Sequence, residues 1–129
     1  MYVAYKNLSV LKELTGTRPE QMTFCGGSSK GFLWPQILAD VFGIPVKVPR
    51  VKESTAFGCG MCVGVGTGEF NSFHDAVEQW VETDKVFQPN LNVHEEYLHF
   101  YDRWRDVLDE LLKLVDKELL RPMWKAPGV

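Results

Sequence analysis

A run of glycine, serine and lysine residues near the start of the chain has the composition of an anion-binding loop. It consists of Gly26, Gly27, Ser28, Ser29, Lys30 and Gly31. The glycines let the main chain approach an anion closely, and the first turn of a helix offers N–H groups without helical partners. The serine hydroxyls can cap that helix or donate hydrogen bonds, and the lysine adds a positive charge. The segment therefore predicts a loop that binds phosphate or a nucleotide.

Two familiar phosphate motifs do not match this loop. A P-loop ends in Gly-Lys-Ser/Thr, whereas Lys30 is followed by Gly31, and a G-x-G-x-x-G fingerprint is absent from the turn. The same glycines and serines also suit a tight connection between a strand and a helix. From the residues alone, a binding loop and a plain connection both stay open.

The loop lies between elements that would hold it in place. Met22 to Cys25 is predicted as a short strand, and a helix that ends at Gly43 is predicted after the glycines. The apolar face of this helix contains Phe32, Leu33, Ile37, Leu38 and Val41. Ile44 to Val48 has a proline at either end and is predicted as an edge strand, because proline cannot donate to a central ladder.

A glycine-rich helix, Ala56 to Gly66, is predicted next, with its cap in the segment Lys52 to Thr55. Its glycines lower its intrinsic stability, so we expect it to approach the sheet closely behind the loop. Cys59 and Cys62 form a C-x-x-C, the spacing of a redox pair or of half a zinc site. Since no second pair at metal-ligand spacing follows, we expect buried or half-buried thiols in a packed helix.

Three further helices are predicted. Tyr2 to Leu14 has one apolar stripe, and Asn71 or Ser72 caps a helix that begins near Phe73. The last helix follows an extended connector at residues 87–90 and is the longest and most regular element. Its apolar stripe contains Tyr97, Tyr101, Trp104, Leu108, Leu111 and Val115. This stripe is more typical of a core face than of a surface that stacks on a cofactor.

Other catalytic patterns fail on spacing. His94 and His99 are five residues apart, whereas a zinc-binding H-E-x-x-H helix needs a step of four. No serine or cysteine occupies a nucleophile elbow, so no catalytic triad is predicted. We therefore predict no catalytic residue and no metal ligand in this chain.

The size and charge of the chain exclude several classes of protein. Its 129 residues are enough for one domain. Its net charge is −3, with acidic and basic residues mixed along the chain. There is no basic face for nucleic acid, no polybasic anchor and no apolar run long enough for a membrane span. We expect a cytoplasmic protein that binds neither nucleic acid nor membrane.

The segment Gly26 to Gly60 resembles the nucleotide-binding part of the FGGY carbohydrate kinases, and the resemblance covers essentially the whole chain. It implies an α/β fold: a fragment of an actin-like, ribonuclease-H-like ATPase domain, mostly helical with two or so short strands. It also implies that residues 26–31 contact the phosphates and adenosine of ATP. Ser28 stands where the commonest family loop has a third glycine, so the backbone contact there is expected to differ.

Three segments carry a narrower resemblance within the family: KGFLWPQILADV, VKESTAFGC and the terminal Trp124 to Val129. They are similar to members that phosphorylate linear 4,5-dihydroxy-2,3-pentanedione, a quorum-sensing signal. The resemblance implies Mg-ATP as the donor. Two alternatives stay open: part of a pentulose or polyol kinase such as xylulokinase, and a nucleotide-binding or interaction module without catalysis.

The length of the family implies further partners. We expect residues 1–129 to be the last part of the second kinase domain, with the first domain and the start of the second upstream of Met1. The acceptor would bind mainly to that missing domain, and the chain alone would be inactive. Loss of covering strands and helices would also expose Phe24, Phe32 and Leu33, so we expect self-association.

Overall fold

The computed structural model describes residues 1–121 and contains five α-helices and three strands among them. The resemblance at Trp124 to Val129 falls outside these residues. The elements, in chain order, are α1 (Tyr2–Thr15), β1 (Met22–Thr23), a 3-10 turn (Gly27–Lys30), α2 (Leu33–Phe42), β2 (Val46–Pro49), α3 (Ser54–Gly66), α4 (Phe73–Trp80), β3 (Thr83–Phe87) and α5 (Leu91–Asp116). No helix within residues 1–121 is long and apolar enough to cross a membrane.

The three strands form one small mixed sheet. Its order is β1-β2-β3, with β1 and β2 parallel and β2 and β3 antiparallel. The prediction that the second strand lies at an edge is therefore wrong. Its prolines are compatible with the central position because Pro45 precedes the paired residues, and Pro49 closes the strand at a register shift opposite Thr83. The carbonyl of Pro45 still contributes, since it accepts a hydrogen bond of 2.9 Å from the Met22 N–H.

The main core lies where α2 packs on the sheet, with α1 and α5 beside it. Its buried residues are Leu38, Ala39, Val41, Phe42, Ile44, Val46, Val48 and Phe87. The predicted apolar face of α2 is confirmed for Leu38 and Val41. It is wrong for Phe32 and Leu33, whose side chains are 71% and 68% exposed. Phe24, the third residue expected to be uncovered, is half-buried and packs against this core.

Asp40 joins the end of α2 to the start of α5. Its side chain is 7% exposed, and Oδ1 accepts hydrogen bonds from the Asn90 N–H at 2.8 Å and from Gln36 Nε2 at 2.9 Å. Its main-chain carbonyl accepts a bond of 2.8 Å from His94 Nδ1. Gly43 ends α2 with φ of 65°, and a Cβ there would lie 2.7 Å from the ring of His94. The junction therefore depends on both the buried carboxylate and the glycine.

The long helix α5 packs its aromatic residues against α1. Asn90 caps it by accepting from the N–H groups of Asn92 and Val93. The rings of Tyr5 and Tyr101 meet edge to face with centroids 4.9 Å apart. A core role is thus confirmed for Tyr101, which is buried, and for Tyr97, which packs against the main core. Trp104, Leu108 and Val115 are only half-buried, and Leu111 is 44% exposed.

A second, smaller core lies between α3 and α4. Met61, Phe70 and Ala76 are buried together, and Ser72 caps α4 by accepting from the Asp75 N–H. Gly64 explains part of the glycine content of α3, because a Cβ there would lie 2.6 Å from the Phe70 ring. The close approach that we expected toward the sheet is therefore found toward Phe70.

The opposite face of α3 corrects another prediction. Cys59 and Cys62 are exposed rather than buried or half-buried, and Cys25 is half-buried in the segment that leads into the glycine loop. Glu53 occupies the N-cap position of α3 without a side-chain capping bond, so the predicted cap is also absent at this helix.

Candidate nucleotide site

The glycine loop begins with a residue whose backbone only glycine adopts easily. Gly26 has φ of 87° and ψ of −175°, which is outside the regions that side-chain-bearing residues favour. Its N–H donates a hydrogen bond of 2.7 Å to the carbonyl of Lys52. The start of the loop is therefore fixed to the segment that leads into α3.

Ser29 holds the loop closed from inside. It is buried, and both its hydroxyl and its N–H donate to the carbonyl of Gly26, at 2.7 and 3.1 Å. Ser29 therefore stabilises the 3-10 turn and has no hydroxyl hydrogen left for a ligand. The prediction that a serine caps the following helix is wrong, because Phe32 is the N-cap residue of α2 and makes no side-chain capping bond.

The outer side of the loop is open. A Cβ built on Gly27 or Gly31 would meet no atom within 4 Å, and Ser28 and Lys30 are exposed. The N–H groups that open a 3-10 turn have no partner within the turn. The sequence predicted residues 26–31 as one binding segment, and the structure divides them into an inward-facing Ser29 and an accessible outer side.

The positive charge of the loop is held by an acidic residue. Lys30 Nζ lies 2.7 Å from Glu53 Oε1, and both side chains are exposed. The hydrogen bond from Lys30 and its positive charge lower the pKa of Glu53. Because the folded state favours the ionised carboxylate, this pair contributes stability above the ordinary glutamate pKa and loses it as the pH falls. Solvent screening keeps that contribution small.

A second charged pair fixes the segment behind the loop. Lys52 Nζ lies 2.8 Å from Asp84 Oδ2 on β3, and this bond lowers the pKa of Asp84. The carbonyl of Lys52 also accepts the hydrogen bond from the Gly26 N–H, so Lys52 connects β3 to the start of the loop. Sequence reasoning missed this support because β3 itself was not predicted.

No group of three or more histidine, cysteine, aspartate or glutamate side chains within residues 1–121 is arranged to hold a metal ion. Asp40 is buried among its own hydrogen-bond donors, as described above. What the arrangement offers chemically is an accessible main-chain turn with one lysine beside it, which suits the binding of phosphate groups.

A strand, an open glycine turn and a helix on a mixed sheet define an α/β protein whose fold is that of the sugar kinases. Gluconate kinase from Lactobacillus acidophilus superposes with a TM-score of 0.75 and 20% identity, over 85% of this chain and 22% of that one. Xylulose kinase from Rhodospirillum rubrum superposes with a TM-score of 0.70 and 21% identity, over 88% of this chain and 23% of that one. These kinases have the actin-like, ribonuclease-H-like fold, so the predicted fold class is confirmed, with three strands rather than two.

Sequence relatives define the family. Residues 1–67 match the model of the FGGY family of carbohydrate kinases, C-terminal domain, and the chain belongs to this family. It is 43% identical to autoinducer-2 kinase from Escherichia coli and 42% identical to that from Photorhabdus laumondii, each over 123 residues. These matches cover 95% of this chain and 23% of each relative, so the chain spans about a quarter of their length. The narrower resemblance predicted from the sequence is confirmed by these relatives.

Proposed function

We propose that this chain is the ATP-side portion of a carbohydrate kinase that phosphorylates autoinducer-2. The observation that carries the proposal is the 43% identity to autoinducer-2 kinase across 95% of the chain. Following the family resemblance, the acceptor is linear 4,5-dihydroxy-2,3-pentanedione and the donor is Mg-ATP. Phosphorylation inside the cell retains this quorum-sensing signal, which locates the proposed activity in the cytoplasm.

In this proposal the outer side of the glycine loop binds the nucleotide. Main-chain N–H groups at Gly27 and Ser28 donate to phosphate oxygens, and Lys30 supplies a cation beside them. The openness of Gly27 and Gly31 supports the proposal, because their lack of side chains leaves room for a ligand and serves no contact within the described chain. Ser29 acts indirectly by keeping the turn closed.

The chemical step then depends on groups outside this chain. Phosphoryl transfer requires the acceptor hydroxyl to be held in line with the donor phosphate and its proton to be accepted. Asp40 is buried and already accepts two hydrogen bonds, so it is a poor candidate for the base. We therefore assign the base and most acceptor contacts to the remaining three quarters of a family-length polypeptide, and residues 1–129 to the end of its second domain.

A chimera tests the function directly. The 129-residue chain would replace the matching quarter of the Escherichia coli autoinducer-2 kinase, and ATP-dependent phosphorylation would be measured in a coupled assay with magnesium. We expect turnover with dihydroxypentanedione. Xylulose, offered as a second acceptor, tests the pentulose-kinase alternative.

Two outcomes would contradict the proposal. A folded chimera without activity toward either acceptor would favour a non-catalytic module. An active chimera whose KM for ATP is unchanged when Gly27 is replaced by Val would remove the loop from the site. The parental kinase carrying the equivalent glycine substitution is the matched control.

We also propose that the isolated chain self-associates through its exposed apolar side chains. Phe32 and Leu33 lie side by side and are largely exposed, with Trp34 half exposed next to them. Contiguous apolar patches of this kind are uncommon on monomers. Sedimentation of the chain should give a mass above that of a monomer, and Leu33→Glu should shift it toward the monomer; a monomeric wild-type chain would contradict this.

A further inference from the structure

The first residue of the glycine loop is held by the main chain of another segment. The Gly26 N–H donates a hydrogen bond of 2.7 Å to the carbonyl of Lys52, which lies in the irregular segment between β2 and α3. Every amino acid at position 52 would offer this carbonyl. The position of Gly26 therefore depends on where the main chain of residue 52 lies.

The side chain of Lys52 fixes this segment to β3. Its Nζ lies 2.8 Å from Asp84 Oδ2. The side chains of Lys52 and Asp84 are 21% and 37% exposed, whereas those of the Lys30–Glu53 pair are 58% and 68% exposed. Because solvent screens a covered pair less, the Lys52–Asp84 pair is the firmer of the two that hold the surroundings of the loop.

Asp84 occupies an irregular position in β3. Val48 of β2 lies opposite Lys85, and the next residue, Pro49, lies opposite Thr83, so Asp84 is the extra residue of a β-bulge. Bulges re-aim a side chain and are common next to active sites. The bulge therefore gives a reason why a strand residue can reach the segment that holds the loop.

The other end of the loop is held independently. Phe32 follows Gly31, and its ring packs edge to face on the buried Phe87 with centroids 5.1 Å apart. A shift of Lys52 would therefore not move the loop as a whole. It would change the distance between the two ends of the loop and so the direction of its N–H groups.

We propose that Asp84 is a positioning residue for the nucleotide loop. It acts through Lys52, whose carbonyl holds Gly26, and so keeps the N–H groups at the start of the 3-10 turn in the orientation that phosphate binding needs. This inference rests on the proposed function, in which those groups bind ATP. Asp84 itself touches neither ATP nor the acceptor.

Hydrogen exchange tests the support without any need for activity. Exchange is measured by mass spectrometry on a peptide covering residues 24–31 of the 129-residue chain, because opening of the Gly26 hydrogen bond exposes that amide. Asp84→Lys places two cations together and should speed exchange in this peptide. Adding Lys52→Asp restores an ion pair of the same total length and should return exchange to the original rate.

A neighbouring ion pair provides the matched control. Arg50 and Glu82 join the same two segments, with 2.7 Å between guanidinium nitrogen and carboxylate oxygen, and the Arg50 N–H also donates to the Glu82 carbonyl. Glu82→Lys should leave exchange in the loop unchanged. Asp84→Asn, which removes a charge without adding another, is the milder variant should Asp84→Lys fail to fold.

Kinetics of the active chimera test the consequence for ATP. Asp84→Lys should raise the KM for ATP about two- to fivefold, the effect of a partly exposed ion pair. The kcat and the KM for the acceptor should stay nearly unchanged, and the double variant with Lys52→Asp should restore the KM for ATP. A pair that only stabilised the fold would shift the urea midpoint without this selective change.

Several results would overturn the proposal. These are unchanged loop exchange in the Asp84 variants, an equal increase in Glu82→Lys, and no recovery in the double variant. Faster exchange with an unchanged KM for ATP would also overturn it, because Asp84 would then support the loop without positioning it for ATP. An inactive wild-type chimera would instead contradict the proposed function, and the exchange measurement would still decide whether Asp84 holds the loop.

Discussion

Two regions of the molecule differ in what surrounds their residues. One is the core between α2 and the sheet, and the other is the outer surface formed by the glycine loop and α3. On the α2 side, Val46 and Val48 are almost completely buried, and the Asp40 carboxylate accepts from Gln36 of the same helix and from the Asn90 N–H. On the loop side, Gly27 and Gly31 face open space, and both cysteines of α3 are exposed. Residues of the first region are explained by contacts within the chain, whereas those of the second are not.

This difference separates folding from function within one small molecule. Hydrophobic burial and buried hydrogen bonds account for the identity of core residues. A glycine with neither a positive φ nor a close neighbour is not required by the fold. Inside a helix or strand such a glycine would lower stability. The openness of Gly27 and Gly31 is therefore consistent with a ligand that approaches from outside.

The largest expected effect concerns catalysis by the isolated chain. Without the rest of a kinase, the acceptor and the donor phosphate cannot be held together, and loss of positioning alone can remove about 7–11 kcal/mol of barrier lowering. We expect no detectable turnover in a coupled assay with ATP, magnesium and dihydroxypentanedione. Sustained turnover that is abolished by changing an aspartate of this chain would contradict this prediction. It would show that the catalytic base lies within residues 1–129.

The next effect should be a loss of stability on the core side. Phe42 is buried and packs edge to face on Tyr5, with ring centroids 5.5 Å apart. Phe42→Ala should lower the free energy of unfolding by about 3–5 kcal/mol, measured by urea denaturation. Leu33→Ala, in the exposed patch, is the control and should cost less than about 1 kcal/mol. Similar losses in both variants would show that the exposed patch contributes as much to stability as the core does.

Much of the fold follows from local signals in the sequence. Gly43 ends α2 and Ser72 caps α4 as predicted, because each acts on its own neighbouring backbone. The strand β3 was missed because only Phe87 is buried within it and its other residues are exposed and mixed in polarity. Its pairing with β2 joins residues far apart in the sequence, so the central position of β2 could not be predicted either.

The candidate site was only partly predictable for the same reason. Glycines and serines identified residues 26–31 as a unit, but the inward role of Ser29 depends on the geometry of the 3-10 turn. The uncharged sequence of α3 is typical of a buried helix. Within residues 1–121, however, the two thiols of α3 are exposed, so the pattern did not predict their surroundings.

A smaller loss of stability is expected where the core contains charge. Asp40→Ala removes the acceptor for the Asn90 N–H and should cost about 1–3 kcal/mol, because a buried donor is left unpaired. Asp40→Asn keeps an oxygen acceptor and should cost less. Asp106→Ala, on the exposed face of α5, should be nearly neutral. Urea denaturation of the three variants measures this, and an unchanged midpoint for Asp40→Ala would show that the junction does not depend on the carboxylate.

The smallest expected effect isolates the ligand side of the comparison. Gly27 has no positive φ and its Cβ would meet no protein atom, so Gly27→Val should leave the unfolding midpoint nearly unchanged. A valine side chain would nevertheless crowd a bound phosphate, and in the active chimera we expect the KM for ATP to rise about tenfold, or ~1.4 kcal/mol. Gly66→Val is the matched control, since Gly66 is equally open but lies at the end of α3. An equal rise in KM for both variants would mean that openness alone does not identify the nucleotide site, and no change in either would leave the loop as a plain connection between strand and helix.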